Sequence, residues 1–414
     1  MTLNSETLTA IERKISRGLK EKSAASSKIG ILILSLLLSV TIFISAGLFI
    51  YYGMQVRTLR KKAKAIERTF MNIGQNQSEF KPMLGNLSMP VQLQTTPLGE
   101  RSGLVLATKK IPIRGVAAPY NPSMIEWKDG YLLFFRYDII KQDCPFDYYT
   151  HIGCCTLNTN FEQTEKEFTT IDTGSQFSED PRALKIGEEI YLVFNDLQRS
   201  DNTSYYRTMH IGKINLEESK LEFSTDLDLQ IKSIEKNWVP FERIENGKPE
   251  IYLEYFLNPQ KIMKLPNPKE NNLVHLPISG SSNFLRTFWP HPLGHPRGGS
   301  TAQLVDGQYL AFFHSSFEDT NKYPWYVMGA YTFEKDSPFR VTAISHYPIL
   351  FEGIYDSPHM NTADWRKRVI FPGSFSEGIR NGRQVLYVCC GENDSSIKLI
   401  IMDKQILLKN LKKL

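Results

Sequence analysis

The sequence predicts an all-β chain, a five-bladed β-propeller, preceded by one N-terminal transmembrane helix and a juxtamembrane helix. Three observations predict the propeller. A hairpin unit recurs five times in order, each recurrence opens on a small or polar lead-in, and no long amphipathic helix follows residue 105. The units are "YNPSMIEWKDGYLLFFR" (120–136), "EDPRALKIGEEIYLVFND" (179–196), "KNWVPFERIENGKPEIYLEYFLNP" (236–259), "RGGSTAQLVDGQYLAFFHSS" (297–316) and "VIFPGSFSEGIRNGRQVLYVCCGEND" (369–394).

Each unit reads as a strand, a glycine-containing turn and an aromatic-rich strand. From Asn121 through Asp180, Asn237 and Gly298 to Phe371 the steps are 59, 57, 61 and 73 residues. Such units are too long for solenoid turns and suit four-stranded blades with generous loops. Segments such as "YRTMHIGKINL" and "YVMGAYTFE" supply the outer strands. A β-sandwich would account for the strands but not for their ordered recurrence. In a propeller the innermost strands line one central channel. The lead-ins "YNPS", "EDPR", "KNWVP", "RGGST" and "FPGS" therefore form a single rim, and their prolines and glycines fix its backbone and deny it a continued ladder.

Across 414 residues the composition is that of a globular protein, with 41% hydrophobic and 22% charged residues. The formal charge of +5 is local in origin: residues 9–28 and 53–72 each hold six Lys or Arg. The remainder is slightly acidic, which argues against a nucleic-acid-binding face. Between the basic flanks lies "IGILILSLLLSVTIFISAGLFIYY" (29–52), 24 residues without a charge. At about 1.5 Å per residue it crosses a hydrocarbon layer of about 30 Å, and Tyr51 and Tyr52 suit the interface. It is too long for a signal-peptide core and no small-residue cleavage pattern follows it, so it reads as a retained single-pass anchor. Equal positive charge on its two sides leaves its orientation open. The expected divisions are a basic segment (1–28), the membrane span (29–52), a juxtamembrane helix and linker (53–107) and the propeller (108–414).

Five cysteines, Cys144, Cys154, Cys155, Cys389 and Cys390, fit neither a disulfide framework nor a zinc spacing and read as small buried hydrophobes. They lean towards a reducing compartment. Four Asn-x-Ser/Thr matches, at Asn76, Asn86, Asn202 and Asn393, are what chance gives. The histidines of "HPLGH" (291–295) are broken by proline and lack helical metal-ligand spacing. There is no phosphate-cradling glycine loop, dinucleotide fingerprint or Gly-x-Ser-x-Gly elbow, and no cofactor or metal is implied.

"EDPR", taken with "KNWVPF", "RGGSTAQL", "YVMGAYTFEKDSPFRVTAIS" and "CCGENDSSIKLIIMDK", resembles glycoside hydrolase family 130 and its propeller relatives. That group includes β-mannoside phosphorylases and hydrolases, and related propellers act as mannosyltransferases. The resemblance spans roughly residues 108–410 and rests on the ordered set. It implies Asp180 as the catalytic acid, which protonates the leaving oxygen through a sugar hydroxyl while phosphate attacks the anomeric carbon. General acid catalysis of this kind supplies about 10²–10⁴-fold. Burial and the neighbouring Glu179 are expected to raise the pKa of Asp180, and Arg182, on the same rim segment and facing the ligand, to oppose that rise. Lys236 and Asn237 match a stretch in which the lysine helps hold phosphate. Farther on, phosphorylases carry a His-Arg-Pro-like clamp, where this chain has "LNPQK" with Asn258 and Pro259. Loss of those cationic groups weakens phosphate binding, for which Arg207, Lys261 or Lys264 are the available substitutes.

Other rim residues carry two readings each. Asn121 is a sugar-hydroxyl ligand or a turn residue, and Arg136 a substrate contact or a salt bridge. Asp196, ending the second unit's hairpin, binds sugar or caps the turn, and the turn cap is the preferred reading. Arg297, before Gly298 and Gly299, sits where backbone approaches a ligand closely. His314 binds substrate or completes an inner strand, and Asp394 clasps a hydroxyl or caps the last unit. Trp238, alone among the tryptophans in lying within a lead-in, is placed to stack on a sugar face. The expected function is a membrane-anchored carbohydrate-active enzyme that cleaves or transfers a glycosyl, most simply mannosyl, unit, with inorganic phosphate or a nucleotide-sugar as co-substrate. A glycosyltransferase using an activated mannose donor and a non-catalytic glycan-binding propeller are the alternatives.

Overall fold

The computed structural model describes residues 89–140, 148–199, 205–227, 229, 234–276, 288–359 and 367–414, with Arg13, Lys14, Ser16 and Arg17 near the N-terminus. The chain divides into two compact units, Met1–Leu87 and Ser88–Leu414, and the second holds every strand described. Its five sheets are the five expected blades.

Strand β1 (Val105–Lys110) comes first in the chain but belongs to the last blade. Blade one is β2 (Tyr120–Trp127), β3 (Gly130–Ile140), β4 (Tyr148–Leu157) and β5 (Thr169–Ile171). Blade two is β6 (Glu179–Ile186), β7 (Glu189–Arg199), β8 (Tyr205–Asn215) and β9 (Lys220–Asp226). Blade three is β10 (Val239–Glu245), β11 (Lys248–Leu257), β12 (Gln260–Leu265) and β13 (Val274–His275). In blade four the inner strand is split into β14 (Arg297–Gly298) and β15 (Gln303–Val305), followed by β16 (Gln308–Glu318), β17 (Pro324–Glu334) and β18 (Val341–Ser345). Blade five is β19 (Ile370–Arg380), β20 (Arg383–Glu392) and β21 (Ser396–Asp403), completed by β1 as its outer strand with Thr108 opposite Ile400. A short helix, α1 (Lys404–Asn410), then leads to β22 (Leu411–Lys413) on the edge of β18.

The hairpin turns follow from their sequences. Asn246–Gly247, Asp306–Gly307 and Asn381–Gly382 all hold two successive positive φ angles, as a two-residue turn matched to strand twist requires. The core lies between the blades, so the hairpin strands are apolar on both faces. On β3, Leu132 and Phe134 pack towards Ala183, Leu192 and Phe194 of blade two. Leu133 and Phe135 turn the other way, to Cys389 and Leu399 of blade five. The buried thiols of Cys154, Cys155, Cys389 and Cys390 are free and fill these layers as small hydrophobes; Cys144 lies outside the described residues. Inner strands meet in succession, β2 on β6, β6 on β10 and β19 on β2, while β14 packs on β11 and β16 on β19, which closes the ring.

Residues 89–104, read from the sequence as linker, are part of the propeller unit: Leu93 and Leu104 are buried in its core. The apolar stretch 29–52 and the basic stretch 53–72 lie outside the described residues. Among the described residues no helix is long and apolar enough to cross a membrane.

One buried carboxyl makes stability depend on pH. Glu254 on β11 accepts hydrogen bonds from the Tyr331 hydroxyl and from Gln260 Nε2, at 2.8 Å for the latter. Burial nevertheless pushes it up to about 7. Its folded pKa thus lies above the unfolded value of about 4.3. Its contribution is fully present below that unfolded value and is lost as pH rises through about 7. Glu254→Gln is expected to flatten this fall and to be more stable than the wild type by about 1–3 kcal/mol at pH 8. Urea denaturation of both proteins between pH 5 and 8 checks it, and parallel pH profiles would contradict it.

Candidate active site

Three inner strands begin with one backbone device. Asn121, Asp180 and Asn237 all have left-handed backbone, with φ of 46°, 54° and 66°. Asn and Asp tolerate this conformation better than other residues bearing a Cβ. Proline follows Asn121 and Asp180 directly, and pairing with the next strand slips between Tyr120 and Ser123 and between Glu179 and Arg182. A similar slip falls between Pro372 and Ser374 on blade five. Such bulges re-aim side chains at the end of a strand. Blades four and five use glycine at the rim instead. A Cβ on Gly298 would collide with the Asn237 carbonyl, and one on Gly373 with that of Pro122, so the rim backbones of neighbouring blades touch.

The device brings two adjacent carboxylates, Glu179 and Asp180, into the interior at 2% and 6% exposure. Glu179 receives three cations: Arg136 Nη2 at 3.0 Å, Arg207 Nη2 at 2.6 Å and Lys236 Nζ at 2.8 Å. Asp180 Oδ1 accepts from Asn121 Nδ2 at 2.7 Å and faces Arg136 Nη1 at 3.6 Å. Arg136 also meets Asp138 through Nε at 3.4 Å, and its guanidinium lies over the Tyr120 ring at 4.8 Å. Burial pushes the Asp180 carboxyl up, but Arg136, Lys236, Arg182 and the Asn121 amide together hold it well below the usual carboxylate range. This corrects the expected rise. Glu179, expected to repel Asp180, is itself neutralised by three cations.

Arg182 is fully enclosed and braces the ring, donating from Nε to the Gly299 carbonyl at 2.7 Å and from Nη1 to that of Asp180 at 3.1 Å, with Phe371 of blade five beside it. Burial lowers its pKa to about 10, against the pull of Asp180. His314 on β16 lies between Tyr326 and Phe371, with ring centroids at 6.1 and 4.6 Å. Burial, with Arg297 and Arg182 nearby, drives its pKa well below the usual histidine value, so it is neutral at pH 7. Arg297 donates to Ser316 Oγ at 2.6 Å and lies over the Tyr326 ring, as Lys367 does from the segment before blade five. Lys367 pairs with Asp394 at 2.6 Å. Asp180, Asn121, Arg136, Arg182 and Lys236 are thus one connected cluster. Arg297, His314 and Asp394 line the blade-four and blade-five side.

Three expectations fail here. Trp238 has no exposed surface: its indole packs against Tyr255 and donates to Glu235 at 3.3 Å, so it is a core residue and offers no face to a sugar. Lys264 does not substitute for a phosphate clamp, because it pairs with Glu245 and Glu250 within blade three. Asn237 stands at the rim through its left-handed backbone. Asp196 is not the turn cap expected: it lies within β7 opposite Thr208 and accepts from Ser175 Oγ at 2.7 Å and from the Leu197 amide at 2.9 Å. Sequence reasoning missed Tyr120, Asp138, Lys367 and Tyr326, as well as the role of Glu179 as the cation anchor. A signal for one of them was present: Arg136 and Asp138 share a strand face at a spacing of two.

Among solved structures, 247 chains match this fold. One is a provisionally assigned glycoside hydrolase from Parabacteroides distasonis, 12% identical, covering 77% of this chain and 97% of its own, with a TM-score of 0.50. Others are MPT-4, a mannose phosphorylase from Leishmania mexicana (16% identity, 76% and 93% covered, TM-score 0.48), and MPT-1, a GDP-Man-dependent mannosyltransferase from the same organism (11%, 74% and 92%, 0.48). The first likeness establishes the five-bladed fold. No protein-family model and no curated protein matches the sequence.

Removing the Glu179 charge would leave three cations converging on a neutral group in a buried place. Glu179→Gln is therefore expected to cost about 3–5 kcal/mol of stability. Equilibrium denaturation at pH 7 tests this, and a loss below about 1 kcal/mol would mean that water already screens the cluster.

Proposed function

We propose that the chain is a carbohydrate-active enzyme that cleaves or transfers a glycosyl unit, with a mannoside as the first substrate to test and Asp180 as the proton-transferring carboxylate. The observation that carries this reading is Asp180 itself. It is a buried carboxylate set by a left-handed bulge beside Asn121 and Arg136, while its neighbour Glu179 is neutralised by three cations. A single such acid departs from the two-carboxylate arrangement of most glycosidases.

In the ligand-free site Asp180 is ionised at neutral pH. To act as an acid it must gain a proton when substrate binds. A sugar hydroxyl that takes the place of Arg136 at Asp180 Oδ1 removes a charge-assisted contact and excludes water. Both effects raise a carboxyl pKa. The hydroxyl then lies between the carboxyl and the leaving oxygen and can relay the proton. Arg207 and Lys236, the other cations of this cluster, are committed to Glu179, which favours water or a sugar hydroxyl as nucleophile over phosphate. Arg297 makes no carboxylate ion pair among the described residues and is the cation open to an anionic co-substrate. The uncharged stretch 29–52 supports a membrane anchor for the whole chain.

The test is turnover of manno-oligosaccharides by the full chain, alone, with inorganic phosphate, and with GDP-mannose plus an acceptor sugar. Asp180→Asn is expected to lower kcat by about 10²–10⁴-fold while saccharide binding persists. The pH profiles carry a second expectation. The basic limb of kcat, which reports the complex, should lie at higher pH than that of kcat/KM, which reports the free enzyme. Coincident limbs would mean that substrate leaves Asp180 unperturbed. Saccharide binding with no turnover under any condition would make the propeller a glycan-binding module.

A further inference from the structure

The contacts of Arg136 are unequal. Its Nη2 sits 3.0 Å from Glu179, while its Nη1 is 3.6 Å from Asp180, beyond hydrogen-bond length. A guanidinium free to turn would close on Glu179 and abandon Asp180. Two groups oppose that turn. Asp138, two residues along β3 on the same face, takes the Nε edge at 3.4 Å. Tyr120, opposite Arg136 across the first hairpin, has its ring under the guanidinium carbon, 4.8 Å from it to the ring centroid. The two are tied together, because the Tyr120 hydroxyl donates to Asp138 Oδ2 at 2.7 Å. One face and the Nε edge of the guanidinium are thereby fixed, and Nη1 is left aimed at Asp180.

We propose that Tyr120 and Asp138 are positioning residues, a clamp that holds the Arg136 guanidinium in the orientation in which it reaches Asp180. The clamp deepens the proton-transfer reading of Asp180 and rests on it. It sets how firmly Asp180 keeps its charge before substrate arrives, and therefore how large a change substrate must bring about. Everything else that bears on Asp180 comes from other positions: Asn121 from β2, Arg182 and Glu179 from its own strand, Lys236 from before β10, and His314 from β16. None of these touches Tyr120 or Asp138 through a hydrogen bond or ion pair, so the two can be altered with those groups in place.

The test compares wild type, Asp138→Asn and Tyr120→Phe, which keeps the ring and loses only the bond to Asp138. The limb of kcat/KM that reports Asp180 is expected to move up by about one pH unit in Asp138→Asn and by less in Tyr120→Phe. The limb of kcat stays in place, since bound sugar has already displaced Arg136. A merely structural role would lower both constants without moving either limb, and that result overturns the clamp. A second arm needs no substrate. The depressed Asp180 carboxyl contributes stability that is present above its unfolded pKa of about 3.9 and is lost as pH falls through the folded value. Urea denaturation of the full chain between pH 2.5 and 6, with Asp180 and with Asp180→Asn, measures that loss. It should shrink in the Asp138→Asn and Tyr120→Phe backgrounds, and an unchanged loss in both overturns the clamp. If no saccharide is turned over but the loss shrinks, the clamp stands and the carbohydrate reading falls.

Discussion

Two neighbouring carboxylates sealed inside a protein are the constraint around which this site is built. At about 4 Å apart, like charges repel by about 4 kcal/mol at the effective dielectric of a protein, and each also loses its hydration. Glu179 and Asp180 can lie side by side in the interior only because cations reach them from outside their own strand. Arg136 comes from blade one, Arg207 from the third strand of blade two, and Lys236 from the segment leading into blade three. The charge balance of the site is therefore assembled from blades one and two and the segment entering blade three, and no single blade supplies it.

Ring closure rests on main-chain pairing. Strand β1 precedes every blade yet completes the last one, and β22, at the opposite end of the chain, extends blade four. Between them Lys404 ties Asp306 on the β15–β16 turn to Glu377 on β19, each at 2.7 Å. Closure fixes the distances between lead-ins that no local interaction fixes. The collision of any Cβ at Gly373 with the Pro122 carbonyl, and at Gly298 with that of Asn237, marks how closely the rim has been drawn together. Within such a frame a bulged aspartate has little freedom, and the Asp180 carboxylate inherits the rigidity of the sheets.

Much of the architecture was legible because its determinants are local. Alternating apolar residues, Asn-Gly and Asp-Gly turns and the recurring Pro or Gly lead-ins are each readable within about twenty residues, and together they specified five hairpins in order. The site was legible as a set of positions but not as a set of partnerships. Asn121 and Arg136 were named from their places in the repeat, Asp180 and Lys236 from the family resemblance, and the ring does bring them together. What Glu179 would do could not be read, because its three partners lie 43, 28 and 57 residues away along the chain. Trp238 misled for a related reason. A lead-in contains residues on both sides of the rim, and here the left-handed backbone of Asn237, just before Trp238, redirects the chain. Residues 89–104 read as linker because Leu93 and Leu104 stand outside any repeat, and the core cluster that holds them draws on blades three, four and five.

The charge of Asp180 bears on how the proposed proton transfer would work near neutral pH. An acid whose pKa matches the medium is half discharged before substrate arrives; one held far below it carries no proton at all. The second arrangement suits a site in which the substrate is itself part of the proton path. On the proposed reading the anion attracts a sugar hydroxyl, and the same binding event removes the solvent and the guanidinium contact that kept it ionised. The chemical step then becomes conditional on a correctly seated ring, because a poorly fitting molecule leaves Arg136 in place and the carboxylate inert. On this argument the strong local field is a source of selectivity, obtained by stabilising the resting anion more than catalysis alone would require.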